Sequence, residues 1–336
     1  MSFLRPQRDV FVTGPEAHLP ERRMSNRDVL DWMGVAVRPS WIAHRTGVEE
    51  RRWVEPDIAC SDLAVAAATR LIDRHGIARA RIAQLLLATI SGDHPTPPTA
   101  PLVLGRLGID AAGAIDLGAA CAGFTSGLHV GAALHLASGE DQLLIASDIR
   151  SKFLHRRDLA TTALFGDGAA SCLITSQRQG ARFRLLASEL AANPSIAELI
   201  GIRAGGSRLP HHQSHDEHDA YLRMTHGATL FMKGADLMRD AASSLLAHTG
   251  CDVSEIDWLV PHQANLHLIH AMTDKLGVPR HKVVETVQFT GNTSGASVGI
   301  ALSHLAEHLP LAPGQRVLLV SAGAGGSSAC ALLESL

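Results

Sequence analysis

The sequence predicts an α/β fold built from two related halves. Short apolar runs, among them Leu85–Thr89 and Leu143–Ser147, have the length of buried strands, and Ala-rich segments with helical spacing separate them. The segment 125–134 also resembles 293–302, with identical Thr, Ser, Gly, Val, Gly, Ala and Leu, and a strand-like run follows each copy. Such self-similarity predicts a duplicated chain, although two Gly/Ala-rich helices can also match by chance.

The two halves are predicted to meet in the polar segment Ser176–Gly180, which gives residues 1–178 and 179–336. Ser25 has the position of an N-cap for a helix through Trp32, and Ser61 that of a cap for a helix through Asp73. Asn193–Asp219 has no periodicity and carries a His-rich tract at 211–219. We interpret that tract as a solvated loop, because its spacing suits no standard metal site.

Composition excludes several classes of protein. The 336 residues carry a net charge of −3 without a basic block, so no nucleic-acid partner is expected. No apolar run has the length of a membrane span, and the start lacks a signal-peptide pattern, so we expect a soluble cytoplasmic protein. The five cysteines are odd in number and widely separated, which argues against disulfides or a zinc site and leaves room for a reactive thiol.

Cys121 is the strongest candidate for that thiol. A short strand, Ala114–Leu117, leads through small residues to Cys121 and into a helix that ends near Ser138 and Gly139. Unpaired N–H groups at a helix start are expected to lower the pKa of the thiol, and the small neighbours would let a substrate carbonyl approach. The alternative is that Cys121 only fills a tight helix contact.

Two further residues are candidate partners of Cys121. His262 follows the apolar strand that ends at Pro261, and the C-terminal ends of strands are where open α/β sheets gather their chemistry. Asn292 precedes the second copy of the repeated helix. If the halves are symmetric, the starts of both helices converge, and Asn292 then lies near Cys121.

Five motifs together resemble the thiolase superfamily, and most closely the ketoacyl-acyl carrier protein synthase III enzymes. They occur in family order over nearly the whole chain and comprise Trp41-Ile42 with Arg45-Thr46-Gly47, Ala119–Phe124, Phe165–Ala169, Trp258–Leu266 and Gly291–Ser294. The resemblance implies two pseudo-symmetric halves in a layered α-β-α-β-α core. It also implies a homodimer that needs neither a cofactor nor a metal.

The same resemblance implies the chemistry. Cys121 is expected to accept an acyl group, and His262 with Asn292 to hold the carbonyl of a malonyl-type thioester during decarboxylative Claisen condensation. Acyl carrier protein is the expected carrier, and coenzyme A an alternative one. The substrate-binding residues implied by the family pattern are Trp41, Arg45, Thr96, Phe165, Phe231, Asn265 and Gly325.

The chain departs from the family pattern at four positions. Glu49, Leu159 and His267 stand where basic residues are usual, which weakens the expected contacts to coenzyme A and to the carrier protein. Thr96 stands where a bulky aromatic often closes the acyl pocket, so a larger donor is expected. These departures favour a specialised lipid or polyketide-like pathway. Acyl transfer to an oxygen or nitrogen nucleophile, and a non-catalytic subunit of a heterodimer, are the alternatives.

Overall fold

The structure, a computed structural model, describes all 336 residues as fourteen strands and ten α-helices. The strands are β1 (Ser2–Leu4), β2 (Phe11–His18), β3 (Arg23–Ser25), β4 (Glu50–Arg52), β5 (Ile82–Ala88), β6 (Gly113–Leu117), β7 (Asp141–Asp148), β8 (Gly168–Thr175), β9 (Phe183–Ala192), β10 (Ile200–Gly201), β11 (Arg223–Met224), β12 (Trp258–Pro261), β13 (Arg316–Ala322) and β14 (Ser327–Ser335). The helices are α1 (Asn26–Met33), α2 (Pro39–Thr46), α3 (Cys60–His75), α4 (Ala100–Arg106), α5 (Gly123–Ser138), α6 (Leu159–Thr162), α7 (Gly227–Thr249), α8 (Leu266–Leu276), α9 (Val287–Thr290) and α10 (Ser297–His308).

The main sheet consists of two parts with similar topology. Its strand order is β12-β13-β14-β9-β2-β8-β7-β5-β6, with β1 paired to β9. The two parts meet only where β2 pairs with β9, through Phe11 with Arg184 and Val12 with Phe183. Apart from β1, each part therefore comes from one half of the chain.

Alternating side chains divide the core into layers. Along β7, Leu143 and Ile145 pack under α3 and α4, whereas Leu144 and Ala146 pack against α5 and α10. Strand β13 alternates in the same way between α5 and α10 on one face and α7 and α8 on the other. Because the central strands of both sheets are covered on both faces, they are mostly apolar, whereas the edge strand β6 is partly exposed. The predicted α/β class and the layered α-β-α-β-α core are confirmed.

The backbone of the two halves aligns in a different register from the one that the identical residues suggest. A single 3-10 turn precedes α5 at Ala120–Ala122 and another precedes α10 at Ser294–Ala296. Each turn begins with a residue of positive φ, 46° at Ala120 and 53° at Ser294. The letter match instead pairs Thr125, inside α5, with Thr293, which lies before the second turn. The expected alignment is therefore wrong in register, because the backbone turn and not the letters marks equivalent positions.

The predicted caps have different outcomes. Ser25 is confirmed as the N-cap of α1, since its hydroxyl accepts a hydrogen bond from Asp28 N. The prediction for Ser61 is wrong, because α3 begins at Cys60 and Asp62 bonds the Ala59 N–H in place of a serine cap. The Ser61 hydroxyl donates to Asp93 at 2.7 Å instead.

The predicted boundary at 178/179 falls in the connection between β8 and β9 and stays a prediction. Residues 193–219 are mostly irregular, with short 3-10 turns and the two-residue strand β10. No helix in the structure combines the length and the apolarity that crossing a bilayer requires.

Candidate active site

A cavity of about 190 Å³ lies where the starts of α5 and α10 meet the end of β12. Most of the residues that line it are hydrophobic, and Cys121, His262 and Asn292 all reach it. The lining comprises Cys121, Leu164, Phe165, Ile196, Ile200, Met224, Gly227, Leu230, Phe231, Gly234, Met238, His262, Ala264, Asn265, Leu268, Asn292, Ala322, Gly323 and Ala324. An apolar cavity with a few converging polar groups is the usual form of a small-molecule site.

Cys121 is held in the tight turn before α5. Its sulfur lies 3.8 Å from the Ser294 hydroxyl, so the two helix starts do converge as the duplication predicted. The Cys121 N–H makes no hydrogen bond within the chain. A Cβ placed on Gly323 would lie 2.9 Å from that nitrogen, so only glycine leaves this N–H open to a ligand.

The pKa of the Cys121 thiol is raised rather than lowered. Burial is the main cause, and the negative charge of Asp148 acts in the same direction. The Ser294 hydroxyl, the Arg150 charge and the Ala324 backbone N–H oppose this rise without cancelling it. The direction is opposite to the one expected for a helix start, because loss of water around the sulfur outweighs the neighbouring groups that favour the thiolate.

His262 lies at the end of β12 and is kept neutral. Its backbone N–H donates to Val320 O at 2.8 Å, which extends the pairing of β12 with β13 by one residue. Burial lowers the pKa of the imidazole to about 4. The ring Nδ1 lies 2.7 Å from the Ser297 hydroxyl, so the other nitrogen, Nε2, is left for the cavity.

Asn292 is fixed through both its backbone and its side chain. Its N–H donates to Leu164 O and its C=O accepts from Gly166 N, so it forms a bridge beside Phe165. The side-chain Oδ1 accepts a hydrogen bond from Ser294 N at 2.9 Å. The amide nitrogen Nδ2 is then the end of the side chain that remains free to donate into the cavity.

Three of the seven predicted substrate-binding residues line this cavity. Phe165 and Phe231 contribute ring surface, and Asn265 lies at the start of α8. The Asn265 Oδ1 caps that helix by accepting from Leu268 N at 2.9 Å. The Oδ1 atom of Asn265 therefore has a structural role as a helix cap, independent of any ligand.

The other four lie outside the cavity. Trp41 is 42 % exposed, and the Arg45 guanidinium stacks on it at 5.1 Å. Thr96 is in an exposed loop, and Gly325 is in the positive-φ turn after β13 without lining the cavity. The structure brings Gly323 and Ala324 to the cavity in place of Gly325.

Sequence reasoning missed one wall of the cavity. Ile196, Ile200 and Met224 line it from the irregular segment and the strand that follows. Apolar residues inside an otherwise polar loop were the available signal. The His-rich tract lies in the same segment, and no three His, Cys, Asp or Glu side chains of the structure are grouped to hold a metal ion.

Comparison with known proteins assigns the family. The family described as 3-oxoacyl-[acyl-carrier-protein] synthase III matches residues 115–194, and its C-terminal part matches residues 246–335. A 3-oxopimeloyl-[acyl-carrier-protein] synthase of Rhodothermus marinus is 37% identical over 332 residues, 98% of this chain and 94% of the relative. A beta-ketoacyl-[acyl-carrier-protein] synthase III of Pectobacterium atrosepticum is 37% identical over 326 residues, 96% of this chain and 98% of the relative.

Solved structures agree with these sequence matches. The crystal structure of 3-oxoacyl-(acyl carrier protein) synthase III from Pseudomonas aeruginosa superposes with a TM-score of 0.86 at 32% identity, covering 97% of this chain and 98% of that one. The fold and site define a condensing enzyme with the thiolase fold. The chain belongs to the 3-oxoacyl-acyl carrier protein synthase III family, and it is an acyltransferase.

Proposed function

We propose that Cys121 carries the acyl group, and that His262 and Asn292 hold the carbonyl of the malonyl-type thioester with which it condenses. The observation that supports this assignment is that the thiol and two free side-chain donors open into one apolar cavity. His262 is neutral at neutral pH and can donate from Nε2, and the Asn292 amide can donate from Nδ2.

The first half-reaction transfers the acyl group. The Cys121 sulfur attacks the donor carbonyl, a carbon–sulfur bond forms, and the bond to the carrier sulfur breaks. The carrier sulfur leaves with the proton that the thiol gave up. The tetrahedral oxyanion formed on the way would accept a hydrogen bond from the unpaired Cys121 N–H.

The second half-reaction forms the new carbon–carbon bond. The malonyl thioester loses carbon dioxide, and the electron pair passes to its α-carbon and carbonyl oxygen. Donors that are already in place stabilise this enolate without reorganisation, which is the role we assign to His262 and Asn292. The carbanion attacks the acyl group, and collapse of the adduct returns the Cys121 thiolate. Phe165 would offer the malonyl carboxylate an apolar neighbour that favours loss of its charge.

The carrier is proposed to be acyl carrier protein rather than coenzyme A. Trp41 is exposed with Arg45 on one face, and Leu159 packs beside Leu30 and Ile42 without supplying a charge. His267 is exposed and bonds His44 O at 2.9 Å. A nucleotide would therefore meet few cations here. The names of the two relatives differ in their acyl products, so they leave the donor of this chain open.

A homodimer is proposed from the free edge of the main sheet. Strand β6 is the last strand on its side, and it leads directly to the Cys121 turn. Ile115 on this strand and the nearby Leu102 and Ile90 are exposed at 40%, 46% and 42%. An unpaired edge beside exposed apolar side chains favours pairing with a second copy. We also propose a cytoplasmic location, which five free cysteines fit.

Separating the two half-reactions tests the proposal. In His262→Ala or Asn292→Ala, acylation of Cys121 followed by mass spectrometry should stay near the wild-type rate. Decarboxylation of malonyl thioester should fall about 10²–10³-fold, because one preorganised donor is lost. Cys121→Ala provides the control without an acyl adduct. Equal loss of both half-reactions in folded protein, or full acylation of Cys121→Ala, would contradict the assignment.

A further inference from the structure

Arg150 is a buried cation that has no partner within the chain. It follows β7 directly after Ile149 and is 3 % exposed. Its backbone N–H bonds Asp167, but its guanidinium takes part in no hydrogen bond and no ion pair, and only the rings of Phe153 and Phe165 face it, at 5.5 and 6.0 Å. A buried charge without a partner costs several kcal/mol, on the order of the penalty for desolvating one ion.

Arg51 is a second buried arginine, and both terminal nitrogens of its guanidinium are hydrogen-bonded within the chain, with only Nε left unpaired. It is 0 % exposed, and its guanidinium donates to Met24 O, to the Asn26 side chain and to Ala163 O. Arg150 has none of these contacts. Its side-chain nitrogens are unpaired but not completely buried, so part of the guanidinium surface is open to a ligand.

The Arg150 guanidinium lies beside the cavity that contains the nucleophile, although Arg150 is not one of its lining residues. Phe165, under the guanidinium, lines the cavity that contains Cys121. Asp148, two residues before Arg150, accepts a hydrogen bond from Gly295 N at 2.9 Å, and the neighbouring Ser294 hydroxyl lies 3.8 Å from the Cys121 sulfur. The Arg150 charge is also felt at the sulfur, where it lowers the pKa of the thiol against the effect of burial.

The chemistry of the reaction indicates which of two carboxylates the Arg150 guanidinium can bind. The carboxylate of the malonyl extender is lost as carbon dioxide, and a guanidinium on it would stabilise the ground state and raise the barrier to decarboxylation. A carboxylate at the far end of the acyl donor persists through both half-reactions. Guanidinium binds a carboxylate through two parallel hydrogen bonds, which fixes position as well as charge.

We infer that Arg150 binds the distal carboxylate of the acyl donor, so that the enzyme selects monothioesters of short dicarboxylic acids over unbranched fatty acyl thioesters. This inference rests on the proposed acylation of Cys121. It deepens that proposal by naming the class of donor and the residue that recognises it.

The test measures acylation of Cys121 alone, without extender. Glutaryl and valeryl groups have the same number of carbons and differ in the distal carboxylate, and both are supplied as coenzyme A thioesters and on acyl carrier protein. Intact-protein mass spectrometry then gives the rate of adduct formation. Wild type should acylate with glutaryl at least about 10-fold faster than with valeryl, in line with one buried charge-assisted pair.

Arg150→Met should reverse this preference. It should lower the glutaryl rate about 10²-fold and leave the valeryl rate equal or higher, because an unpaired buried charge is removed. Arg150→Lys, which keeps the charge but not the two-pronged geometry, should fall between the two. Arg156→Met is the matched control, since Arg156 is an exposed arginine six positions along the chain that stacks on Trp32; it should change neither rate.

Each other outcome overturns the inference in a recognisable way. A wild-type enzyme that prefers valeryl or does not discriminate refutes it without any variant, so a failure of Arg150→Met to fold does not block the test. Equal loss of both donors in folded Arg150→Met shows a general role. Unchanged acylation with both donors in folded Arg150→Met shows that Arg150 does not bind the donor. Absence of any adduct on wild-type Cys121 refutes the proposed function itself.

Discussion

The turn before α5 and the turn before α10 have similar backbone conformations, but one presents a side chain to the cavity and the other packs against its counterpart. Both are single 3-10 turns that begin with a positive-φ residue, Ala120 or Ser294. The second residue of the first turn is Cys121, and that of the second turn is Gly295. A Cβ on Gly295 would lie 2.8 Å from Ala120 O, so the second turn cannot carry a side chain while the first presents its thiol to the cavity.

The strands that end beside these turns complete the contrast. Strand β7 ends at Asp148, whose carboxylate takes the Gly295 N–H at 2.9 Å. Strand β13 ends one residue before Gly323, which has no side chain and leaves the Cys121 N–H unbonded. The duplicated fold has thus placed two similar donors at its centre. One N–H is used to join the halves, and the other is kept for the substrate.

Gly323→Ala should have the largest effect on this contrast. The new Cβ would lie 2.9 Å from Cys121 N and 3.0 Å from Ala119 O, so the turn must shift. The Cys121 N–H would then no longer point at the oxyanion. Acylation and condensation should both fall about 10²–10³-fold, since both pass through an oxyanion on the Cys121 side. Rates of the two half-reactions, measured separately, check this result.

Gly118→Ala is the matched control for that experiment. Gly118 lies three residues before Cys121, and a Cβ there meets nothing within 4 Å. It should retain both activities. Retained acylation in Gly323→Ala would show that the Cys121 N–H is not part of the oxyanion site.

The sequence was sufficient for the fold class and for bringing Cys121, His262 and Asn292 forward as candidates that prove to line one cavity. Alternating apolar runs identified the strands, and Cys121, His262 and Asn292 each stand at the end of a strand or the start of a helix, where local pattern is informative. The register of the duplication was wrong because the equivalent turns match in backbone angles and not in residue type, as the φ values of 46° at Ala120 and 53° at Ser294 show.

What the sequence could not give depends on contacts between distant segments. Burial reverses the expected pKa shift of Cys121, and burial is a property of the assembled layers. The roles of Gly323 and Asp148 require knowing which strand end faces which turn. Arg150 looks like an ordinary surface residue in a polar stretch until the fold shows that it is buried and that its guanidinium is unpaired.

Asp148→Asn should weaken the hydrogen-bonded contact between the two halves of the chain. The carboxylate accepts hydrogen bonds from Ile90 N, from the Ser91 hydroxyl and from Gly295 N at 2.9 to 3.0 Å. An amide can accept at one end only and turns an N–H₂ towards a donor at the other. The free energy of unfolding should fall by about 2 kcal/mol, measured by urea titration.

The same variant provides a second measurement at the nucleophile. The Asp148 charge raises the pKa of Cys121, so its removal should lower that pKa. Alkylation by iodoacetamide as a function of pH should therefore shift to lower pH. An unchanged alkylation profile together with unchanged stability would mean that Asp148 neither stabilises the contact between the two halves nor affects the Cys121 thiol.

Ser297→Ala should have the smallest effect, confined to the second half-reaction. Ser297 is 1 % exposed, and its hydroxyl accepts from Gln263 N at 3.4 Å and lies 2.7 Å from His262 Nδ1. No other acceptor is within reach, and a buried hydroxyl needs one, so Ser297 donates to Nδ1 and the single proton of the neutral ring stays on Nε2. Without this hydroxyl both tautomers of His262 become populated, and the rate of decarboxylation should fall about 10-fold, equivalent to about 1.4 kcal/mol.

The rate of acylation should not change in Ser297→Ala. The control is Ser303→Ala, which removes the hydroxyl of a buried serine of α10 that makes no side-chain bond to the site, and it should leave both half-reactions intact. A loss of acylation equal to that of decarboxylation would identify Ser297 as a packing residue, because the tautomer of His262 concerns only the extender carbonyl.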